Sequence, residues 1–311
     1  MDPRQKILAD IDLVESKILF SKNPIVLLCG GSVPEKAHAE APDPELASLR
    51  HAVTRRYPPY EIFRPEEIKS WQEDGVFKNL MDYESDLASI CSLIVIILES
   101  AGAIAELGAF SQLPDSSKKL VVIVAEKFAD ENSFINLGIL KFIARDHEKG
   151  VKRYPWEITR PLDISEQMIE DVVDDINIEL TNLNKTQKFN INSEVHLVVL
   201  IYELIKMFVA LKENELIEAI SGFGRVIHRD ALRRKIFLLK HFRLVDVIGY
   251  SDATYFSSRD DSFHKIRFAL KPDGALDHLR TRAESIAYYS STKTERNRMR
   301  AIQQAKLGAD K

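Results

Sequence analysis

Cys91-Ser-Leu-Ile-Val-Ile-Ile-Leu-Glu-Ser-Ala-Gly-Ala-Ile-Ala-Glu-Leu-Gly-Ala-Phe110 is the stretch on which the fold turns. Its first half is an apolar run of strand length without polar alternation, the pattern of a strand buried on both faces. The strand ends at Glu99, and Ser100, a preferred cap, opens a segment of helical propensity. Outward from this unit the pattern repeats. Upstream, Pro24-Ile-Val-Leu-Leu-Cys-Gly-Gly-Ser-Val-Pro34 is a buried-strand run that stops at Gly30 and Gly31, and downstream Lys119-Leu-Val-Val-Ile-Val-Ala125 is another. Helices are predicted at Pro44 to Tyr57 and Asn79 to Ile90, with a short strand near Tyr60 to Phe63. Strands alternating with helices at this spacing predict an α/β fold of flavodoxin or Rossmann type, a parallel sheet with helices on both faces.

A chain of 311 residues with 45% apolar content has room for a real core and for two domains. Cys29 and Cys91 each sit inside a strand-like run and form neither a zinc pattern nor a disulfide framework, which points to a reducing cytoplasm. The eight histidines show no ligand spacing, so no metal and no bound cofactor is expected. Near the start, Ile7, Leu8, Ile11, Val14, Ile18 and Leu19 follow the spacing of an amphipathic helix rather than an export signal. Val195 to Leu211 is interrupted by Glu203 and Lys206 and is too short to cross a bilayer, so it reads as a buried helix with no membrane role.

The net charge of -4 hides an asymmetry. Residues 189–311 carry 21 Lys or Arg against 15 Asp or Glu, which leaves the front of the chain strongly acidic. An acidic front and a basic back imply different partners. The polar stretch Thr181 to Asn192 marks the boundary, giving an α/β domain over 1–185, a second domain over 190–275 and a basic helical tail over 276–311. In the second domain a long apolar helix at Glu194 to Leu211, a short one at Glu213 to Ile220 and a basic one from His228 to His241 precede two strand-like runs, Leu244 to Tyr250 and His264 to Leu270. Three helices and a two-stranded wing describe a winged helix-turn-helix. Arg225, Arg229, Arg233, Arg234, Lys235 and Lys240 are the candidate phosphate contacts, and such contacts give salt-dependent affinity with little sequence preference. Arg296, Arg298 and Arg300 extend the basic character into the tail. Trp71 and Trp156 read as packing residues rather than stacking platforms, with a lid as the alternative for the stretch around Trp71.

In open parallel sheets, ligands bind at the strand C-terminal ends, where Gly30, Gly31, Ser32, Glu99 and Ser100 converge. Glu106 lies one turn into the helix opened by Ser100. It shares a face with Gly102, which leaves space beside the carboxylate. The helix N-terminus favours its ionised form. Breaking a sugar-base bond builds positive charge on the anomeric carbon, and an ionised carboxylate on one ribose face meets that need. Gly-x-Gly-x-x-Gly is absent, which argues against a hydride-transfer dehydrogenase.

Leu98-Glu-Ser-Ala-Gly-Ala-Ile-Ala-Glu-Leu-Gly-Ala109 resembles the strand-loop-helix signature of nucleoside 2-deoxyribosyltransferases and related NAD-cleaving immune domains. The resemblance implies Glu106 as nucleophile, and Asp82 or Asp86, ahead of Glu84, as sugar-holding acids. Across nearly its whole length the chain further resembles the effector of a bacterial retron. That implies a reverse transcriptase and its multicopy single-stranded DNA as partners, an oligomeric assembly, NAD as substrate rather than cofactor, and abortive infection as output. No separate set of residues for gripping an acceptor base is visible, which favours hydrolysis over base exchange. A nucleoside deoxyribosyltransferase or hydrolase, or a DNA-binding regulator that senses a nucleotide, are the alternatives.

Overall fold

The three unbroken apolar runs become neighbouring strands with essentially no exposed surface. The computed structural model describes residues 2–309 except 37, 39, 57, 59, 70–74, 129–130, 260–261 and 272–273, so Trp71 lies outside the described residues. In chain order the elements begin with α1 (Pro3–Asp10), β1 (Ile11–Leu19), β2 (Ile25–Cys29), α2 (Leu49–Thr54), β3 (Glu61–Phe63), α3 (Leu80–Ile90) and β4 (Leu93–Ile97). They continue with α4 (Ala101–Ser111), α5 (Pro114–Ser117), β5 (Leu120–Ala125), α6 (Lys141–Asp146), β6 (Val151–Tyr154), α7 (Glu166–Asn182) and β7 (Thr186–Lys188). The rest are α8 (Glu194–Met207), α9 (Glu213–Gly222), α10 (Arg229–His241), β8 (Val245–Tyr250), β9 (Ala253–Ser258), β10 (Lys265–Leu270), β11 (Gly274–Ala275), α11 (His278–Ser291) and α12 (Arg296–Ala309). The chain divides into two units, one formed by the described residues of 23–69 and 80–183, the other by those of 1–22, 70–79 and 184–311.

The first unit holds a five-stranded sheet in the order β3-β2-β4-β5-β6, every neighbouring pair parallel. Numbered by appearance within the sheet this is 2-1-3-4-5, the flavodoxin-like order, and the direction of winding reverses between β2 and β4. Val26, Leu28, Val95, Ile97, Val121 and Ile123 form the centre of its core, against which α7 packs Ile169, Val172 and Ile176. Ser165 caps α7 by accepting the Met168 amide at 3.3 Å. β6 has only half-buried and exposed residues, as suits an edge strand.

In the second unit the start of the chain departs from the expected helix. α1 ends at Asp10, and Ile11–Leu19 is a strand paired antiparallel with β10 and β7. Between Asp12 and Lys17 its register slips in a bulge, held by Asp12 Oδ1 accepting the Val14 and Glu15 amides. The bulge puts the buried Ile11 and Ile18 seven residues apart, two helical turns in sequence, which is how a bulged strand imitates helical spacing. Because β1 pairs with β10, residues 1–22 group with the later part of the chain rather than with the parallel sheet.

α8, α9 and α10 follow in the order expected of a winged helix, but the hairpin differs. The partner of β8 is Ala253–Ser258, which lies between the two runs expected as wing strands, and a bridge joins Leu211 to Phe256. The run expected as second wing strand, Lys265–Leu270, instead pairs with β1. Alternating Ala-Thr-Tyr-Phe-Ser-Ser carries a weak apolar signal, and only its partner strand makes it β. The tail forms α11 and α12, and α12 buries Ala301 and Ile302 in a cluster with Ile248, Tyr255 and Tyr289. Among the described residues no helix is long and apolar enough to cross a membrane.

Candidate functional site

β2 ends at Cys29 and β4 at Ile97, neighbours at the point where the winding reverses. The segments leaving the two strands are tied together there. Ser100 caps α4 by accepting the Ala103 amide at 3.1 Å, and its Oγ donates to the Gly30 carbonyl at 3.0 Å. Glu99 accepts the amides of Gly31 at 3.0 Å, Arg50 at 2.9 Å and Leu49 at 2.9 Å. Two of these amides open α2, so the carboxylate also sits at a helix N-terminus. Burial raises the Glu99 carboxyl above the ordinary glutamate range, and the three amides oppose that rise. Expected at the ligand, Glu99 is instead a strut whose oxygens are occupied by its own chain.

The glycine pair follows from the same packing. A Cβ at Gly31 would stand 2.7 Å from Ser48 Cβ and 2.9 Å from Glu99 Cδ, a space only glycine fits. The Gly31 amide, expected to hold phosphate or ribose, is donated to Glu99. Ser32 is exposed, and its carbonyl accepts the Ser48 hydroxyl at 2.8 Å. Gly102 is different: it is exposed, and a Cβ there would meet only Ser100 Oγ at 3.8 Å. The face of α4 beside Glu106 is therefore open.

Glu106 is half-buried, and the Cys29 thiol at the end of β2 is among the groups that act on its carboxyl. Burial pushes its carboxyl above the usual range, while the Arg50 guanidinium and the thiol pull it back and Glu66 adds to the rise. The helix N-terminus alone was expected to favour the ionised form; burial outweighs it. A second carboxyl shares this field. Glu84, buried on α3, is pushed up to about 7, first by burial and then by the charges of Glu106 and Glu66. Asp86 is buried and Asp82 half-buried on the same helix, and the charge of Glu106 acts on Glu84 beside them. The resemblance placed Asp82 and Asp86 ahead of Glu84, and the rotation of α3 about its axis is set by packing. Its buried positions, Tyr83, Glu84 and Asp86 to Ile90, cover nearly the whole circumference and leave no readable stripe.

Two carboxyls that act on each other in one place can divide attack and proton transfer between them. Cys29 is fully buried with its thiol pushed well up by burial, which argues against a nucleophilic thiolate there. A cavity of about 400 Å³ opens between residues 33–36, α2 and β3 without including Glu106. Its Lys36 and Arg64 are paired with Asp43 and Glu67. Among the described residues no group of three His, Cys, Asp or Glu could hold a metal ion.

The basic helix is less available than its sequence suggests. Lys235 is buried and its Nζ lies 2.6 Å from Glu194, while Arg225 donates to the Ile191 carbonyl at 2.5 Å and also pairs with Glu194. Both were candidate phosphate contacts, and both instead fasten α8 to the segment around α10. Arg229 and Arg233 are exposed and hold Glu213 at 3.2 and 2.7 Å. Arg234 is half-buried and Lys240 exposed. In the tail, Arg298 is buried and bonded to Glu215, Glu295 and the Ala210 carbonyl, so it anchors α12 in the fold.

Residues 46–247 match the family described as the STM3845 retron effector protein. The chain is 29% identical over 220 residues to the Escherichia coli protein named "Retron Ec73 putative ribosyltransferase/DNA-binding protein", covering 65% of this chain and 67% of that one. It is 30% identical over 132 residues to the Escherichia coli protein of the same name from retron Ec86, covering 41% of this chain and 40% of the relative. The matched span takes in Glu84, Glu99, Glu106 and α10. The chain belongs to the STM3845 retron effector family.

Proposed function

We propose that this retron effector breaks the N-glycosidic bond of NAD or a related nucleotide, with Glu106 attacking the anomeric carbon and nicotinamide leaving. The observation that carries this reading is the placement of half-buried Glu106 one turn into α4, beside the open face at Gly102 and at the point where the winding reverses; the charge of Glu106 also acts on Glu84. As the bond to the base lengthens, positive charge builds on the anomeric carbon and the Glu106 carboxylate meets it, forming a ribosyl ester. Nicotinamide departs neutral from a cationic ring and needs no proton. A neutral nucleobase would take one from Glu84. Water then attacks the ester and Glu106 is released; the water proton returns to Glu84 where a neutral base has taken the Glu84 proton, and passes to solvent where nicotinamide has left without one. The names of the two relatives, which join ribosyltransferase to DNA-binding, support this chemistry. They also favour a second reading, transfer of the ribosyl group to an acceptor other than water.

The partners on this reading are the retron reverse transcriptase and its multicopy single-stranded DNA, which restrain an oligomeric effector until phage infection. Release depletes NAD and aborts the infection. Arg229, Arg233 and Lys240, on one exposed face of α10, are the side chains for phosphate contact.

The test is nicotinamide release from NAD by wild type and Glu106→Gln, each alone and with the reverse transcriptase and its DNA. Release by wild type alone supports the glycosidic reading. Exchange of a labelled base without net hydrolysis moves it to ribosyl transfer. No turnover under either condition by a folded protein leaves a nucleotide-sensing regulator.

A further inference from the structure

Arg50 is enclosed, at 6% exposure, and every arm of its guanidinium has a partner. Nε donates to the Leu28 carbonyl at 3.0 Å, Nη1 to the Gly31 carbonyl at 3.2 Å and Nη2 to Glu66 Oε2 at 2.8 Å. The first two bonds hold the end of β2 and the loop that leaves it. The third fixes a carboxylate from the turn after β3. Its backbone amide is one of the three that hold Glu99, and a Cβ at Gly30 would lie 3.1 Å from Arg50 Cβ. A guanidinium is always charged, and its planar fork sets direction as well as charge.

The groups that face Glu106 come from four places. Arg50 on α2 supplies positive charge, Glu66 after β3 and Glu84 on α3 supply carboxyls, and Cys29 at the end of β2 supplies a thiol. Arg50 is the cation among them, and it is braced by backbone carbonyls rather than held by the carboxylates alone. Removing the substrate's surrounding water strengthens such a charge.

We propose that Arg50 is the positioning residue of this site: it locks the Gly30-Gly31 loop onto β2, ties that loop to Glu66 and Glu99, and thereby sets a fixed positive charge that acts on Glu106. The proposal rests on the glycosidic reading above. A cation fixed by three acceptors does not reorganise as the reaction proceeds, which is the condition for electrostatic assistance.

The test compares full-length wild type with Arg50→Lys and Glu66→Gln. Two readouts are taken across the acid-to-neutral range: nicotinamide release from NAD, and glutamate carboxyl titration by infrared spectroscopy, with Glu106→Gln identifying the Glu106 band. Arg50→Lys keeps a cation without the fork, so the acid limb of kcat/KM moves up by about one pH unit. The rate on that limb falls roughly tenfold, KM stays nearly constant and the rate recovers at higher pH. Glu66→Gln removes a carboxylate that repels Glu106 and competes for the guanidinium, so it moves the limb down. Equal losses at every pH with both limbs unmoved overturn the proposal and leave Arg50 a structural residue. If wild type releases no nicotinamide, the glycosidic reading fails by itself and the infrared titration decides: an upward shift of the Glu106 band in Arg50→Lys supports the role of Arg50, and an unmoved band overturns it.

Discussion

Glu99 Oε1 accepts the Gly31 amide at 3.0 Å, and this bond joins the segments that leave β2 and β4 where the sheet's winding reverses. Glu99→Gln therefore replaces an acceptor with a donor against at least one of the three amides. The unpaired buried groups cost about 1 to 3 kcal/mol. Chemical denaturation is expected to show that loss, with activity falling in parallel. Full stability in Glu99→Gln would mean that the amides find other acceptors.

Gly31 and Gly102 separate packing from access. Gly31→Ala drives a Cβ into Ser48 and Glu99 and is expected to cost about 1 to 3 kcal/mol. Gly102→Ala meets open space and, lying within α4, is expected to leave stability unchanged or raise it by up to about 1 kcal/mol. If a sugar approaches Glu106 across that face, Gly102→Ala raises KM or lowers kcat while melting stays put. An unchanged rate places the ligand elsewhere.

Glu84 gives stability a slope with pH. Its folded-state pKa of about 7 lies above the unfolded value, so the folded chain holds the proton more tightly and stability falls as pH rises through that interval. The full difference is about 3 kcal/mol. Glu84→Gln is expected to remove this slope and to be more stable than wild type above neutrality. Urea titrations at acid and alkaline pH measure it, and a parallel pair of stability curves would rule it out.

Glu215 works in the opposite sense. Arg298 and Arg4 hold its carboxyl down, to about 2, against burial, which by itself would raise it. Its contribution of about 3 kcal/mol is present above the unfolded value and is lost as pH falls through about 2. Glu215→Gln should lower the melting temperature at neutral pH, with the gap to wild type closing in strong acid. A constant gap would show that packing, not the charge pair, sets the difference.

On α10, Lys235 and Lys240 are predicted to behave oppositely. Lys235→Met unpairs the Glu194 contact in the interior and is expected to change stability. Lys240→Ala, on the exposed face, is expected to leave melting unchanged. It should weaken binding to single-stranded DNA and lower the salt slope by roughly one unit. Fluorescence anisotropy against salt concentration reads both. Weaker DNA binding by folded Lys235→Met with none by Lys240→Ala would move the nucleic-acid face.

Much of the first unit could be read from residues alone, because a parallel sheet buried on both faces needs unbroken apolar strands, and Ile25–Cys29, Leu93–Ile97 and Leu120–Ala125 supply them. The cap at Ser100 and the carboxylate one turn later were equally legible, being local in the chain. Tertiary structure decided the rest. Ile11–Leu19 is a strand because β10 pairs with it, a partner some 250 residues away in sequence. Glu99 is a strut because α2 turns its first amides towards it, and Glu84 is buried where the charge of Glu106 reaches it because packing sets the rotation of α3. Lys235 is interior for the same reason: side chains of one charge look alike in sequence, and only the element packed against them determines which face water and which face a carboxylate.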